Sequence, residues 1–164
     1  MTADCCSVPE AHRSPSSDSC PLDGAPGSPV RLTTVAAQVR GELPEPQEYR
    51  VCRSTGCPVV YFGSMGAVLR VEDLWVAPGF KAAGSDLVCY CFRKTRADLA
   101  DDLREHGESR LFPWIKSRVA AGGCACEVRN PTGRCCLSDV ARELRAIDPE
   151  RLRSSEPRGG PTLG

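Results

Sequence analysis

The chain has 164 residues, which is enough for one ordinary domain or two small ones, and its acidic and basic side chains balance to a formal net charge of +0. This neutral balance, together with only 5% aromatic residues, argues against nucleic-acid binding, which requires a basic face. No apolar run reaches the ~18 residues that span a membrane, and residues 1–10 carry no signal-peptide pattern, so we expect a cytoplasmic protein without membrane insertion.

The 11 cysteines have to be explained in a reducing compartment, where thiols bind metals or catalyse reactions more often than they form disulfides. Their odd number also leaves no complete disulfide set. We expect a metalloprotein rather than an enzyme, because no Ser-His-Asp, Cys-His, phosphate-loop or paired-carboxylate arrangement stands at a useful spacing. The two histidines, His12 and His106, lie beside no cysteine pair, which argues against a Rieske-type centre.

The amino-terminal segment is rich in Ser, Pro, Asp and Gly and has few large apolar side chains. Such a composition cannot bury enough surface to offset the entropy of ordering, so residues 1–19 are predicted to be disordered. Cys5 and Cys6 lie in this segment as exposed thiols or, alternatively, as a metal-capture pair. After it, Cys20-Pro-Leu-Asp23-Gly resembles a metal knuckle in which Asp23 replaces the second cysteine.

The next part of the chain is predicted to be rich in strands. Alternation through Val30, Leu32, Thr34 and Gln38 predicts an extended segment, which the Gly- and Pro-containing residues 41–46 interrupt. Further strand segments are predicted at Tyr49–Cys52, Pro58–Phe62, Ala67–Val71 and Leu74–Val76. With the linker that follows, we expect a small β subdomain over residues 20–84.

Cysteine spacing in this subdomain predicts a zinc site. Cys52 and Cys57 flank the turn between two of the strands at C-x4-C spacing, within the range of zinc knuckles. Cys20 and Asp23 would complete a four-ligand site, since carboxylate oxygen is an accepted zinc ligand, and a thiol of the amino-terminal segment is the alternative to Asp23. The subdomain is too small and too strand-rich to be stable without its metal, so the zinc is expected to be structural.

The remainder of the chain is predicted to be helical. Thr95 and Asp98 have the spacing of a capping box at the start of one helix, which Gly107 ends. Second and third helices are predicted from Ser109 to Gly122 and from Leu137 to Ile147 by their apolar periodicity. We expect a helical subdomain over residues 85–148 and a disordered tail over residues 149–164, which makes the whole chain an α+β protein.

Cysteines in the helical subdomain have the spacing of an iron–sulfur site. Cys89 and Cys91 form a C-x-C pair, and a later segment adds Cys124, Cys126, Cys135 and Cys136. The Asn-Pro-Thr-Gly turn at residues 130–133 folds this segment back, which brings one of its first two cysteines near one of its last two. Four thiolates hold a [2Fe–2S] cluster, and the start of the last helix favours thiolate.

These residues resemble a known family. Val88-Cys-Tyr-Cys-Phe92, the run Cys124-Ala-Cys-Glu-Val-Arg-Asn-Pro-Thr-Gly-Arg-Cys-Cys-Leu137, and the C-x4-C ahead of a Val-Val-Tyr-Phe strand are similar to the amino-terminal domain of the CopZ-type copper chaperones. That domain carries zinc and [2Fe–2S], and its second half is similar to bacterioferritin-associated ferredoxin. The resemblance covers roughly Cys20 to Asp148, most of the chain.

The resemblance implies the residues of both sites. The family's zinc positions fall on Cys20, Cys52 and Cys57, with Asp23 in the place of the second cysteine. The implied cluster ligands are Cys89, Cys91, Cys126 and Cys136. Cys126 is selected over Cys124 because the family's fixed cysteine lies four residues before the Asn-Pro. Cys124 and Cys135 would then be free thiols or alternative ligands during cluster exchange.

The resemblance also implies a role in metal handling, in which the cluster passes one electron at a time, for example to reduce Cu(II) to the Cu(I) that thiolates prefer. The expected partners are a protein of metal transport or electron transfer, and transient copper. The family's copper-carrying domain has an M-x-C-x-x-C motif, which this sequence does not contain, so copper delivery by this chain alone is not expected. A ferredoxin-like electron donor to an iron-storage or reductase partner, and a non-redox cluster carrier or sensor, are the alternatives.

Overall fold

The computed structural model describes residues 18–43, 45–82 and 84–147. In chain order its elements are β1 (Ser28–Val30), α1 (Leu32–Gln38), β2 (Tyr49–Val51), β3 (Val59–Gly63), β4 (Val68–Arg70), β5 (Leu87–Cys89), β6 (Lys94–Thr95), α2 (Arg96–His106), α3 (Leu111–Ala120), α4 (Cys126–Arg129) and α5 (Leu137–Ile147). We call residues 18–82 the sheet part and residues 84–147 the helical part. Cys5, Cys6, His12 and the predicted tail lie outside the described residues.

A small sheet combined with several helices is therefore confirmed as the architecture of the described chain, while the predicted subdomain boundaries stay predictions. None of the helices within the described ranges is long and apolar enough to cross a membrane. The sheet part contains one antiparallel sheet in the order β1-β2-β3-β4, and the helical part contains the two-stranded pair β5-β6.

The core of the sheet part forms around β3, where Val59, Val60, Tyr61 and Phe62 are all buried. Such a continuous run of β-branched and aromatic side chains is typical of a strand that is covered on both faces. The predicted strand pair around the C-x4-C turn is confirmed, because β2 and β3 are antiparallel neighbours. Helix α1 covers this core with Val35, which is 0% exposed.

Two of the predicted extended segments are wrong. Residues 32–38 form α1 rather than a strand, and its buried residues Thr34, Val35 and Gln38 lie on one helical face. The sequence pattern resembles the alternation of a strand because two residues of this helical face, Thr34 and Gln38, are separated by an even number of positions. The segment Leu74–Val76 forms no strand either, since only Leu74 makes an isolated bridge, to Val39.

The helical part follows its local sequence signals closely. The Thr95 hydroxyl accepts the Asp98 N–H at 3.1 Å and the Asp98 carboxylate accepts the Thr95 N–H at 2.8 Å, which confirms the capping box. Gly107 ends α2 in the left-handed region with a φ of 82°. Apolar side chains from β5 and helices α2, α3 and α5 build the core, with Val88, Leu99, Ile115 and Val140 at its centre.

The two parts meet where α1 lies against α4, the short helix inside the segment Cys124–Cys136, which we call the cysteine loop. Gly133 of this loop has a φ of +66°, and a Cβ atom there would lie only 2.7 Å from Thr34 Oγ1. Both the backbone conformation and the close approach of α1 therefore require glycine at this position.

We expect Gly133→Ala to lower the free energy of unfolding by ~2 kcal/mol or more, because left-handed alanine costs ~1–2 kcal/mol and the contact with Thr34 adds to it. Gly122→Ala is the matched control, since Gly122 has a φ of +74° but no neighbouring atom within 4 Å of its Cβ position. Denaturant unfolding measures both variants. Equal losses in the two variants would show that the close approach of Thr34 adds nothing to the cost of the left-handed backbone at residue 133.

Candidate metal centres

The first candidate centre is built by two turns of the sheet part. In one, the Cys20 carbonyl accepts the Gly24 N–H at 2.9 Å, and the Cys20 N–H donates to the Ala25 carbonyl at 2.8 Å. Gly24 adopts the left-handed conformation in this turn, with a φ of 71°. This closed turn places Asp23 beside the thiol of Cys20. In the other, between β2 and β3, the Cys57 N–H donates to the Ser54 carbonyl at 3.3 Å.

These turns bring together all four residues expected to bind zinc. The ligand atoms of Cys20, Asp23, Cys52 and Cys57 all lie within 4.8 Å of one another. The Cys20 and Cys57 sulfurs are 3.8 Å apart, and the Cys52 sulfur is 3.8 Å from Asp23 Oδ2. Zinc–sulfur bonds of ~2.3 Å at the tetrahedral angle separate two sulfurs by about 3.8 Å, so this donor set fits zinc.

Burial and hydrogen bonds set the protonation of this centre. Cys20, Cys52 and Cys57 are buried, whereas Asp23 is exposed. Burial raises the pKa of Cys20 to about 12 and also raises the pKa of Cys57. The pKa of Asp23 is lowered to about 2, chiefly by hydrogen bonds from the Ser54 side chain and the Ala25 N–H. Metal binding must therefore displace the protons of the Cys20 and Cys57 thiols, whereas the Asp23 carboxylate is already charged.

The second candidate centre consists of two pairs of buried thiols. The Cys89 and Cys136 sulfurs are 3.0 Å apart, and the Cys91 and Cys126 sulfurs are 3.4 Å apart. Each pair joins the C-x-C segment, which starts at the last residue of β5, to one end of the cysteine loop. Both sulfurs of a pair are close enough to bind the same iron atom, so this donor set fits a cluster with two irons.

Local structure positions these sulfurs. Cys89 is the last residue of β5, Cys126 is the first residue of α4, and Cys136 directly precedes α5. The turn after Cys91 includes Arg93 at a φ of 51°, the one left-handed non-glycine residue of the described chain. The Ala125 N–H donates to the Cys91 sulfur at 3.3 Å, so a backbone amide offsets negative charge there.

Charge in the second centre is unevenly distributed between the sulfurs. The hydrogen bond from the Cys136 thiol lowers the pKa of Cys89 to about 6, and the same bond raises the pKa of Cys136. Burial raises the pKa of Cys126 to about 11. A thiolate at Cys89 facing a protonated Cys136 is thus the preferred state without metal, and metal binding has to displace the remaining protons.

The remaining cysteines of the loop lie outside these pairs. Cys135 is exposed and Cys124 is half-buried, with its pKa raised by burial. Cys126 and Cys136 are the loop cysteines that face the C-x-C segment, which is the arrangement expected for the implied ligand set.

Sequence reasoning missed the residues of the sheet part that contact the cysteine loop. Thr34, Gln38 and Tyr61 each donate a side-chain hydrogen bond to a loop carbonyl, from positions 93, 90 and 70 residues away in the chain. No local pattern could have identified them, because the pairing is set only by the tertiary fold. The burial of polar Thr34 and Gln38 on one face of α1 is their structural signature.

Residues 17–75 match the CopZ-type family described as a zinc binding domain. The chain is 32% identical over 120 residues to the copper chaperone CopZ of Archaeoglobus fulgidus, an alignment that covers 71% of this chain and 57% of that protein. The chain thus spans little more than half of the length of this relative. The X-ray structure of the N-terminal domain of the same CopZ matches with a TM-score of 0.62 and 31% identity, over 76% of this chain and 95% of that domain. Because sequence and fold agree over nearly the whole solved domain, the chain belongs to the family of CopZ N-terminal domains.

Proposed function

We propose that the chain is a metal-handling protein in which zinc stabilises the sheet part and a [2Fe–2S] cluster at Cys89, Cys91, Cys126 and Cys136 serves one-electron transfer to a copper or other heavy-metal system. The observation that carries this proposal is the convergence of two buried sulfur pairs, at 3.0 and 3.4 Å, from two separate segments. Ordinary buried cysteines do not require such convergence, whereas four thiolates are the usual ligands of a cluster.

A bound cluster would supply a single electron at a time at a defined potential. The protein residues would hold it in a largely dry environment, since the four sulfurs belong to residues that are at most 7% exposed. The neighbouring Gly122, Gly123 and Cys135 are exposed, which places one edge of the centre near the surface. This location suits exchange of electrons with a docked acceptor, because electron tunnelling falls steeply with distance.

Copper is the proposed acceptor because the relative from Archaeoglobus fulgidus is named a copper chaperone. Reduction of Cu(II) produces Cu(I), which soft sulfur ligands of a transport partner prefer. A reducing compartment such as the cytoplasm would keep the thiols available for metal.

The zinc centre makes a pH-dependent prediction. Zinc needs thiolate ligands, and the pKa of Cys20, about 12, and the raised pKa of Cys57 keep both protonated at neutral pH without metal. The apparent zinc affinity should therefore fall as the pH falls, by at least about 100-fold per pH unit between about pH 8 and pH 6, because two thiol protons compete with the metal. Competition with a chelator of known affinity measures this slope.

Two variants sharpen this test. Cys57→Ser should weaken binding and reduce the slope by about one proton. Asp23→Asn should weaken binding with an unchanged slope, because a carboxylate with a pKa of about 2 has no proton to release. An affinity for zinc that does not depend on pH would contradict the assigned thiol ligands.

The second centre predicts about two irons and two acid-labile sulfides per chain after anaerobic reconstitution, with a visible absorption that is lost on one-electron reduction. Cys89→Ser and Cys136→Ser should abolish this absorption, because each removes one partner of a buried pair. Cys124→Ser, in the same loop but outside the pairs, is the matched control and should retain it. A colourless wild-type protein would refute the cluster, and loss of colour in Cys124→Ser alone would refute the ligand choice.

The proposed activity predicts that reduced, cluster-loaded protein converts Cu(II) to Cu(I), one copper per chain, as measured with a chelator that absorbs only with Cu(I). Cys89→Ser protein, treated identically, should form Cu(I) only at the slower rate of its free thiols, which separates the contribution of the cluster from reduction by thiols. Cu(I) formation at equal rates in both proteins would assign the activity to thiols. No Cu(I) from either protein would favour the role of a cluster carrier or sensor.

A further inference from the structure

Three side chains of the sheet part donate hydrogen bonds to backbone carbonyls of the cysteine loop. The Thr34 hydroxyl donates to the Glu127 carbonyl at 2.6 Å, and the Gln38 side-chain amide donates to the Val128 carbonyl at 2.7 Å. The Tyr61 hydroxyl donates to the Pro131 carbonyl at 2.6 Å. Glu127 and Val128 lie in α4, the helix that begins at Cys126, and Pro131 lies two residues after its end.

The loop cannot satisfy the Glu127 and Val128 carbonyls itself. In an α-helix the carbonyl of residue i accepts the N–H of residue i+4. For Glu127 that residue is Pro131, which has no N–H. For Val128 it is Thr132, whose N–H already donates to the Asn130 side chain at 3.0 Å. External donors are therefore required where the carbonyls are shielded from water.

Water is a poor substitute above all for the Tyr61 hydroxyl, because Tyr61 is 0% exposed and its acceptor Pro131 is buried. Thr34 and Gln38 are also buried, at 0% and 7% exposure, whereas their acceptor residues Glu127 and Val128 are exposed. A buried carbonyl without a donor costs the full desolvation penalty, so removing the Tyr61 hydroxyl destabilises the end of α4 rather than exchanging one bond for another. The bonds from Thr34 and Gln38 are part-buried, so their loss weakens the same helix end by less.

Closure of α4 determines where Cys126 lies. The Asn130 N–H donates to the Cys126 carbonyl at 3.0 Å, which ties the start of this four-residue helix to its end. At its start, the Cys126 sulfur faces Cys91 at 3.4 Å. If the C-terminal end of so short a helix opens, Cys126 at its N-terminus therefore moves as well.

We propose that Thr34, Gln38 and Tyr61 are positioning residues of the second centre, which cap α4 from the sheet part and thereby hold Cys126 against Cys91. The inference rests on the proposed function only where it concerns cluster retention, since the capping itself is a property of the metal-free loop. Hydrogen bonds between the sheet part and the helical part thus help to set the position of a ligand in the second centre.

The test compares variants that differ by one hydrogen-bonding group. Tyr61→Phe removes the donor to Pro131, and its control is Tyr49→Phe, because the buried Tyr49 hydroxyl donates to no carbonyl of the cysteine loop. Thr34→Val removes the donor to Glu127 with little change of shape, and its control is Thr34→Ser, which keeps the hydroxyl. The second pair decides the question if Tyr61→Phe fails to fold.

The first measurement is amide hydrogen exchange in the full zinc-loaded chain without a cluster. The N–H groups of Val128, Arg129 and Asn130, which close α4, should exchange about tenfold faster in Tyr61→Phe and Thr34→Val than in the controls. Exchange in α2 should be the same in all variants, because its capping box does not involve the sheet part. Equal exchange of the α4 amides in each variant and its control would overturn the proposal.

The second measurement is the rate at which an iron chelator removes the reconstituted cluster, together with its visible circular dichroism. Both donor-deficient variants should lose iron about tenfold faster than their controls, with an altered dichroism band pattern that a general loss of stability would not produce. Faster exchange of α4 with unchanged iron loss and dichroism would overturn the positioning role. If wild-type protein takes up no cluster, the proposed function fails, and the exchange data alone decide whether α4 is capped.

Discussion

Backbone carbonyls that have no donor within their own segment are the constraint on which this fold depends. Sulfurs from one loop can converge on one centre only if the chain turns sharply, and here Pro131 and Gly133 make that turn. Pro131 lacks the N–H that would pair with the Glu127 carbonyl, and Gly133 approaches Thr34 so closely that a side chain at this position would clash. A second layer of structure must then supply donors, and α1 with β3 is that layer.

The two centres place different electrostatic demands on the chain. At the first, Asp23 is exposed and carries its charge before a metal arrives, so a zinc ion would meet a preformed negative group at the surface. At the second, all four paired sulfurs are buried, and charge is managed by sharing protons within each pair and by the Ala125 amide. An exposed carboxylate suits capture of a single ion, whereas a buried sulfur set suits a cluster that must be kept from water.

Sequence reasoning succeeded where a signal was local and failed where the cause lay far along the chain. The Thr95–Asp98 capping box, the β2–β3 pair and the segments that carry the cysteines could be predicted, since spacing and turn residues specify them within a few positions. The sequence pattern does not identify α1 as a helix, because its buried polar residues form their hydrogen bonds with α4, about 90 residues later in the chain. Tertiary contact overrides local preference in so short a segment.

The contacts between the two parts also bear on how metal loss would spread through the chain. Tyr61 lies four residues after Cys57, on the strand that begins at Val59, so a zinc ligand and a donor to the cysteine loop share one short rigid element. The sheet that holds this strand has four strands of only three to five residues, at the short end of the usual range. Structural zinc contributes on the order of 10 kcal/mol to small domains, so a zinc ion bound by the sheet part would add substantially to its stability. A zinc ion bound at Cys57 would therefore also stabilise the position of Tyr61 at the centre of β3 and, through Pro131, the shape of the loop that carries Cys126 and Cys136.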